Sequence, residues 1–223
     1  MRVLAVSDEV DTGLWHHLDV LGPIELVVAC GDLPFEYLAH LADGLDAPLV
    51  FVPGNHDADV SGYRESRNGL ILRAGLPAQP PWPAGAVNVD GAVVDVAGLR
   101  IAGLGGCVRY GDGPNQYSQR QQRHRARRLV AAARWRRWRD GIGVDVVLTH
   151  APPLGVGDGD DEPHHGFRAH RDLVARLHPP LLLHGHVDRD GADRCLGSTA
   201  VRNVVGRHVF DVSSERTADR RAS

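Results

Sequence analysis

The stretch Leu49-Val50-Phe51-Val52-Pro53-Gly54-Asn55-His56-Asp57 decides how this chain is read. Four consecutive apolar residues without polar alternation describe a strand buried on both faces, as parallel sheets require. The strand ends in a Pro-Gly turn that carries an amide, an imidazole and a carboxylate. The same pattern occurs twice upstream. Val3-Leu4-Ala5-Val6 runs into Ser7-Asp8, and Leu26-Val27-Val28-Ala29-Cys30 runs into Gly31-Asp32. Phe35 to Asp43, between the second and third strands, reads as a helix. Buried strands alternating with helices predict an α/β layered fold with a mainly parallel sheet. In such sheets functional side chains gather beyond the carboxyl ends of the strands.

Downstream the pattern continues after a proline-rich loop near residues 77–83. Residues 86–96 read as a hairpin turning at Asp90-Gly91, and 118–139 as the longest helix. A strand over 144–148 ends at Thr149-His150. A helix follows near 167–177, and Leu181-Leu182-Leu183 is a strand ending at His184-Gly185-His186. Residues 199–212 read as a closing hairpin turning near Gly206. The expectation is one domain over residues 1–212 and a polar, frayed tail over 213–223.

Composition sets bounds on this reading. The chain has 223 residues, 43% of them hydrophobic and 24% charged, with a formal net charge of −3. It can bury a core and is not a disordered segment. No apolar run approaches the roughly 20 residues of a membrane helix, so no membrane partner is expected. The start, MRVLAVSDEVD, lacks the pattern of a signal peptide. The three cysteines, Cys30, Cys107 and Cys195, fit neither a disulfide framework nor a zinc ribbon. A cytoplasmic setting is the resulting expectation. All 25 basic residues are arginine, which reads as coding bias.

The strand ends collect Asp8, Asp32, Asn55, His56, Asp57, His150, His184, His186 and Asp188. Asp and Asn favour turns anyway, but histidine has no such preference and recurs at three of these ends. Mixed oxygen and nitrogen donors without thiolates suit Mn, Fe, Zn or a similar divalent ion.

With these residues in place the chain resembles the calcineurin-like metallophosphoesterases. That family carries D-x-H, G-D, G-N-H-[DE], a strand-end H and G-H-x-H in order. The counterparts here are Asp8-Glu9-Val10, Gly31-Asp32, Gly54-Asn55-His56-Asp57, Thr149-His150 and Gly185-His186-Val187-Asp188. The resemblance spans residues 3 to about 212. It implies a four-layer sandwich of two mixed β-sheets flanked by helices. It also implies two divalent ions and hydrolysis of a phosphomonoester or phosphodiester through a hydroxide activated between them. By this resemblance Asp32 bridges the ions, and Asn55, His150 and His186 complete one metal site. His56 serves as acid toward the leaving group, oriented by Asp57. The substrate partner is then a phosphorylated small molecule or another phosphoester.

The first motif and the last depart from the family. Val10 and Asp188 stand where the family has histidines, so the other site is left with Asp8, Asp32 and Asp188. An oxygen-only set favours Mn, with Mg, Fe or Zn as alternatives. Glu9 is one position out of register. The competing reading is a catalytically weak phosphoesterase-fold binding or scaffold protein. Three further residues are weaker candidates for substrate binding: Arg109, by a forked phosphate contact, His164 in the long loop 150–167, and His184. His16, His17, His40, His124, His170, His178 and His208 read as surface or helix residues. Residues 120–139 hold nine arginines with Leu129, Trp135 and Trp138 interleaved. That composition admits nucleic acid as a partner. The favoured reading is a surface helix whose apolar residues pack inward while its arginines stay wet.

Overall fold

The computed structural model describes residues 1–66, 68–188 and 193–212. In chain order it contains β1 (Arg2–Ser7), β2 (Leu26–Ala29), α1 (Phe35–Leu45), β3 (Leu49–Phe51), β4 (Tyr63–Glu65), β5 (Ile71–Arg73), β6 (Leu76–Pro77) and β7 (Val87–Asn88). There follow β8 (Val93–Val96), β9 (Leu99–Leu104), β10 (Cys107–Val108), β11 (Gln116–Tyr117), α2 (Gln119–Asp140), β12 (Val146–Thr149), α3 (Arg168–Leu177), β13 (Leu181–His184), β14 (Arg194–Leu196), β15 (Thr199–Asn203) and β16 (Gly206–Asp211).

Two large sheets carry the fold. One has the order β16-β1-β2-β3-β7, the other β14-β15-β13-β12-β9-β8. β1, β2, β3 and β7 are mutually parallel, as are β9, β12, β13 and β15, and antiparallel strands close the edges at β16, β14 and β8. Because each central strand is apolar on both faces, each sheet needs cover on both sides. The core divides accordingly. Val3, Val28 and Val50 of the first sheet meet Ile101, Leu148 and Leu183 of the second between the sheets. Leu4, Val27 and Phe51 face outward onto Tyr37, Leu38 and Leu41 of α1. Ala102, Val147 and Leu182 face outward onto Leu129 of α2 and Leu173 of α3. The result is helix, sheet, sheet, helix, in agreement with the expected sandwich.

Two expected hairpins are instead crossings between the sheets. β7 pairs with β3 in the first sheet, whereas β8 pairs with β9 in the second. The turn at Asp90-Gly91 therefore passes from one sheet to the other. The hairpin lies one step later, where Ala97 and Gly98, both at positive φ, join β8 to β9. Likewise β15 belongs to the second sheet and β16 to the first, so the segment 204–205 also crosses. Local turn chemistry is the same in both cases; only the long-range partner differs. The expected tail, 213–223, lies outside the described residues.

α2 is firmly delimited. Ser118 and Gln121 form a reciprocal capping box, and Gly141 ends the helix at φ +76°. Its inner face is narrow: Gln122, Ala126, Leu129, Val130 and Ala133. Leu129 packs inward as expected, but Trp135 and Trp138 do not, being 56% and 83% exposed. Both lie outside the angular range of that inner stripe.

His170 is a helix residue, one of the two expected placements, but it is not on the surface. It is fully buried in α3, with Nδ1 donating to the Ala151 carbonyl at 3.0 Å and Nε2 facing the Gln122 amide at 3.2 Å. Burial drives its pKa down to about 3. The unfolded chain binds this proton near pH 6.5 and the folded chain does not, so stability drops as pH falls from about 6.5 toward 3. His170→Gln is expected to flatten that slope by up to about 1.4 kcal/mol per pH unit, measured by denaturant unfolding between pH 4 and 7. Identical slopes for both proteins would refute a neutral buried His170.

Candidate metal centre

Five strand ends meet at one edge of the sandwich. Asp8 follows β1, Asp32 follows β2, Asn55 to Asp57 follow β3, His150 follows β12 and His186 follows β13. The backbone there is contorted. Asp8, Asp32 and His186 all hold positive φ, at 61°, 57° and 71°. Aspartate and histidine are among the non-glycine residues found there most often, still at a cost on the order of 1–3 kcal/mol each. Cross-links hold the turns. The Asp8 carboxylate accepts the His186 N–H at 2.9 Å, and Asp32 Oδ1 accepts the His56 N–H at 2.8 Å. A β-carbon at Gly54 would run into the Asp32 carboxylate, and one at Gly185 into Ser7 and Asp8. The glycines of the sequence motifs therefore mark places where two turns touch.

The electrostatics centre on His150. Its side chain is fully buried. Nδ1 donates to the Cys30 carbonyl at 2.7 Å, so a neutral ring presents a lone pair at Nε2. That nitrogen faces Asn55 Oδ1 at 3.0 Å and Asp32 Oδ2 at 3.3 Å. The Asn55 amide is oriented by its Nδ2 donating to the Tyr110 hydroxyl at 3.0 Å. Three electron-rich atoms converge, an arrangement that calls for a cation among them or a proton on the ring. Burial alone would push His150 down. The Asp32 carboxylate, assisted by Asp8, outweighs burial and lifts its pKa to about 9. Asp32 shows the reciprocal balance: burial raises it, but the His150 and His56 contacts hold it below the usual range. Burial raises Asp8 and Asp57. Burial, then His150, drives His186 down to about 3, so its ring is neutral and able to ligate.

One ligand atom each from Asp32, His150 and His186 lies within 4.8 Å of the others. With the Asn55 oxygen this is an oxygen and nitrogen donor set suited to a divalent ion, so the residues fit the metal that the sequence implies. The pocket in front of them measures about 560 Å³ and is lined by Asp8, Asp32, Asn55, His56, Tyr110, Pro163, His164 and His186. His164 reaches it from the loop after β12. Its ring lies 5.2 Å from that of His186, and Nδ1 is 2.6 Å from the Asp161 carboxylate. The same loop places the Pro163 carbonyl 2.8 Å from His186 Nε2.

Several expected residues stand elsewhere. Asp188 is exposed and does not line the pocket. The strand ends at His184, and the positive φ of His186 breaks the alternation that would bring 186 and 188 to one side. Val10 packs against the outer core beside α1, and Glu9 is exposed. Arg109 turns toward the Gln116 carbonyl at 3.3 Å and Gln121 at 3.4 Å, away from the pocket lining. His184 is buried, with Nδ1 donating to the Gly185 carbonyl at 2.9 Å. It shares the face of Leu182, toward the helices, while Leu183 faces the other sheet. Asp57 is buried, but its Oδ2 accepts the backbone N–H groups of Gly54 at 2.7 Å and Asp32 at 3.0 Å. It positions the turns rather than the His56 ring.

Two contributors escaped the sequence reading. Tyr110 lines the pocket and fixes the Asn55 amide; its own N–H and that of Gly111 are held by Gln116 Oε1 at 3.2 and 2.9 Å. Buried Asn115 clamps the metal-side loop, donating to the carbonyls of Gly54 at 2.8 Å and Asp57 at 3.3 Å. The sequence signal for Tyr110 is the pair Gly105-Gly106 just upstream, where β-carbons would run into Pro53 and Asn115. Nothing local signalled Asn115.

A two-sheet sandwich with a carboxylate, amide and imidazole cluster at its strand ends defines a metal-dependent phosphoesterase scaffold. The chain belongs to the calcineurin-like phosphoesterase family, whose model matches residues 1–189. One solved structure shares the fold with a TM-score of 0.60 at 18% identity, covering 94% of each chain. The protein TT1561 of Thermus thermophilus does so with a TM-score of 0.59 at 19% identity, covering 90% of this chain and 87% of that one. No curated protein matches the chain.

Proposed function

We propose that this protein hydrolyses a phosphomonoester or phosphodiester with the help of two divalent ions, Mn foremost. The convergence of His150 Nε2, Asn55 Oδ1 and the Asp32 carboxylate carries this reading. Asp32, Asn55, His150 and His186 would hold one ion, and Asp8 with Asp32 the other. Ions held there supply neutralisation of phosphoryl charge and a water ionised near neutral pH. Around them the chain's own groups do the rest. Asp57 and Asn115 hold the turn that presents Asn55 and His56. His56, exposed at the pocket, gives a proton to the departing oxygen. His164 contacts the phosphoryl group through Nε2, since its other nitrogen is engaged by Asp161. Half-exposed Tyr110 offers a flat surface to the organic part of the ester.

Asp188 has no part in this arrangement. Asp188→Ala is expected to leave metal content and turnover within about twofold of wild type, as for a surface substitution. Elemental analysis and an aryl phosphate assay with and without Mn check this. The same assay tests the whole reading. Fewer than one ion per chain, with no turnover under any divalent ion, would favour the weak or inactive scaffold, a reading supported by the exposure of Asp188.

A further inference from the structure

We propose that the outward face of α2 binds single-stranded nucleic acid. The inference is independent of the phosphoesterase reading and rests on where α2 points its side chains. Arg120, Arg127, Arg128, Arg134, Trp135 and Trp138 are all exposed. Their separations of three, four, seven and eight residues place them on one side of the helix, opposite the buried stripe. The stripe from Arg120 to Trp138 is about 27 Å long, enough for several nucleotides. Asp140, at the C-terminal end, is the helix's one acidic residue and is held by Arg100 at 2.9 Å. Among the described residues, the α2 arginines in ion pairs are Arg125, Arg136 and Arg139, which leaves the outward set to solvent. The Arg139 guanidinium stacks over the Trp135 ring at 4.9 Å, steadying that indole.

The Trp135 and Trp138 indoles, 56% and 83% exposed, present flat aromatic faces among the arginines. Three occupants compete. A second copy of this stripe is disfavoured, because it would set arginine against arginine. A bilayer needs a broad apolar face, and this side adds only alanines, Ala131 among them, to the two indoles. A single strand satisfies both features at once: phosphates meet the arginines, and unpaired bases stack on the tryptophans. The chain's net charge of −3 does not oppose this, since screening confines the field to about 10 Å.

The test is fluorescence anisotropy of the full chain with a labelled oligothymidylate of about 12 nucleotides, titrated at several salt concentrations. A hairpin duplex and phosphatidylserine vesicles serve as comparisons. The single strand is expected to bind best and to weaken with salt. Trp135→Ala with Trp138→Ala should weaken it at least tenfold without changing the salt slope. Arg127→Ala with Arg134→Ala should lower the log–log salt slope by about 1.4. Melting temperatures of all variants should match wild type, since these side chains are exposed. The proposal is overturned by any of three results: no binding at low salt, equal affinity for duplex or vesicles, or oligonucleotide affinity that neither double variant changes.

Discussion

Asp32→Asn is expected to abolish tight divalent-metal binding and to lower aryl phosphate turnover by about a thousandfold or more. The substitution preserves shape. An asparagine oxygen can still accept the His56 N–H that now lies 2.8 Å from Asp32 Oδ1. It removes the one charge that both proposed ions share. Losing several kcal/mol of charge stabilisation translates into at least a thousandfold in rate. The change also empties the centre of its main electrostatic partner for His150. That imidazole is held near pKa 9 against its own burial chiefly by this carboxylate. Without it the buried ring reverts toward neutral, and Nε2 faces the Asn55 oxygen and, in place of Asp32 Oδ2, an amide NH2 that cannot ligate a cation. Equilibrium dialysis with Mn followed by elemental analysis gives the direct reading, and circular dichroism reports whether the fold persists. A folded variant that retains wild-type metal content would refute the assignment of Asp32.

The sequence made the strand ends legible because buried parallel strands are uninterrupted apolar runs and their exits need turn residues. Val3 to Val6, Leu26 to Cys30 and Leu49 to Val52 could be placed without tertiary information, and the polar residues after them were brought together as expected. What happens one or two residues past each end was not legible. His186 and Asp188 differ by two positions, the spacing that shares a face in a strand, yet one lines the pocket and the other is exposed. The reversal lies in a single positive φ at His186. Sheet membership was hidden for a related reason. Turns at Asp90-Gly91 and before Gly206 look like hairpin turns, and only the partners β3 and β1 show them to be crossings. On α2 the expectation of wet arginines holds for Arg120, Arg127, Arg128 and Arg134 but not for Arg125, which is 20% exposed and paired with Asp90. The chemistry of Trp135 and Trp138 suggests burial, but their angular position sets them opposite Ala126 and Leu129.

His56→Ala is expected to retain full metal content while lowering turnover by about 10²–10⁴, the range of a lost general acid. The two effects separate because His56 serves Asp32 through its backbone and the reaction through its ring. The N–H that donates to Asp32 Oδ1 survives the substitution, so the metal turn keeps its geometry. The exposed imidazole packs against nothing that its loss would collapse. The size of the effect should depend on the leaving group. A nitrophenolate departs without help from a proton, whereas an alkoxide does not. The loss should therefore be small on a nitrophenyl phosphate and near the top of the range on an alkyl phosphate with the same phosphoryl group. Parallel losses on both substrates would indicate that His56 acts on the phosphoryl group itself. An unchanged rate on the alkyl ester would remove His56 from the chemistry altogether.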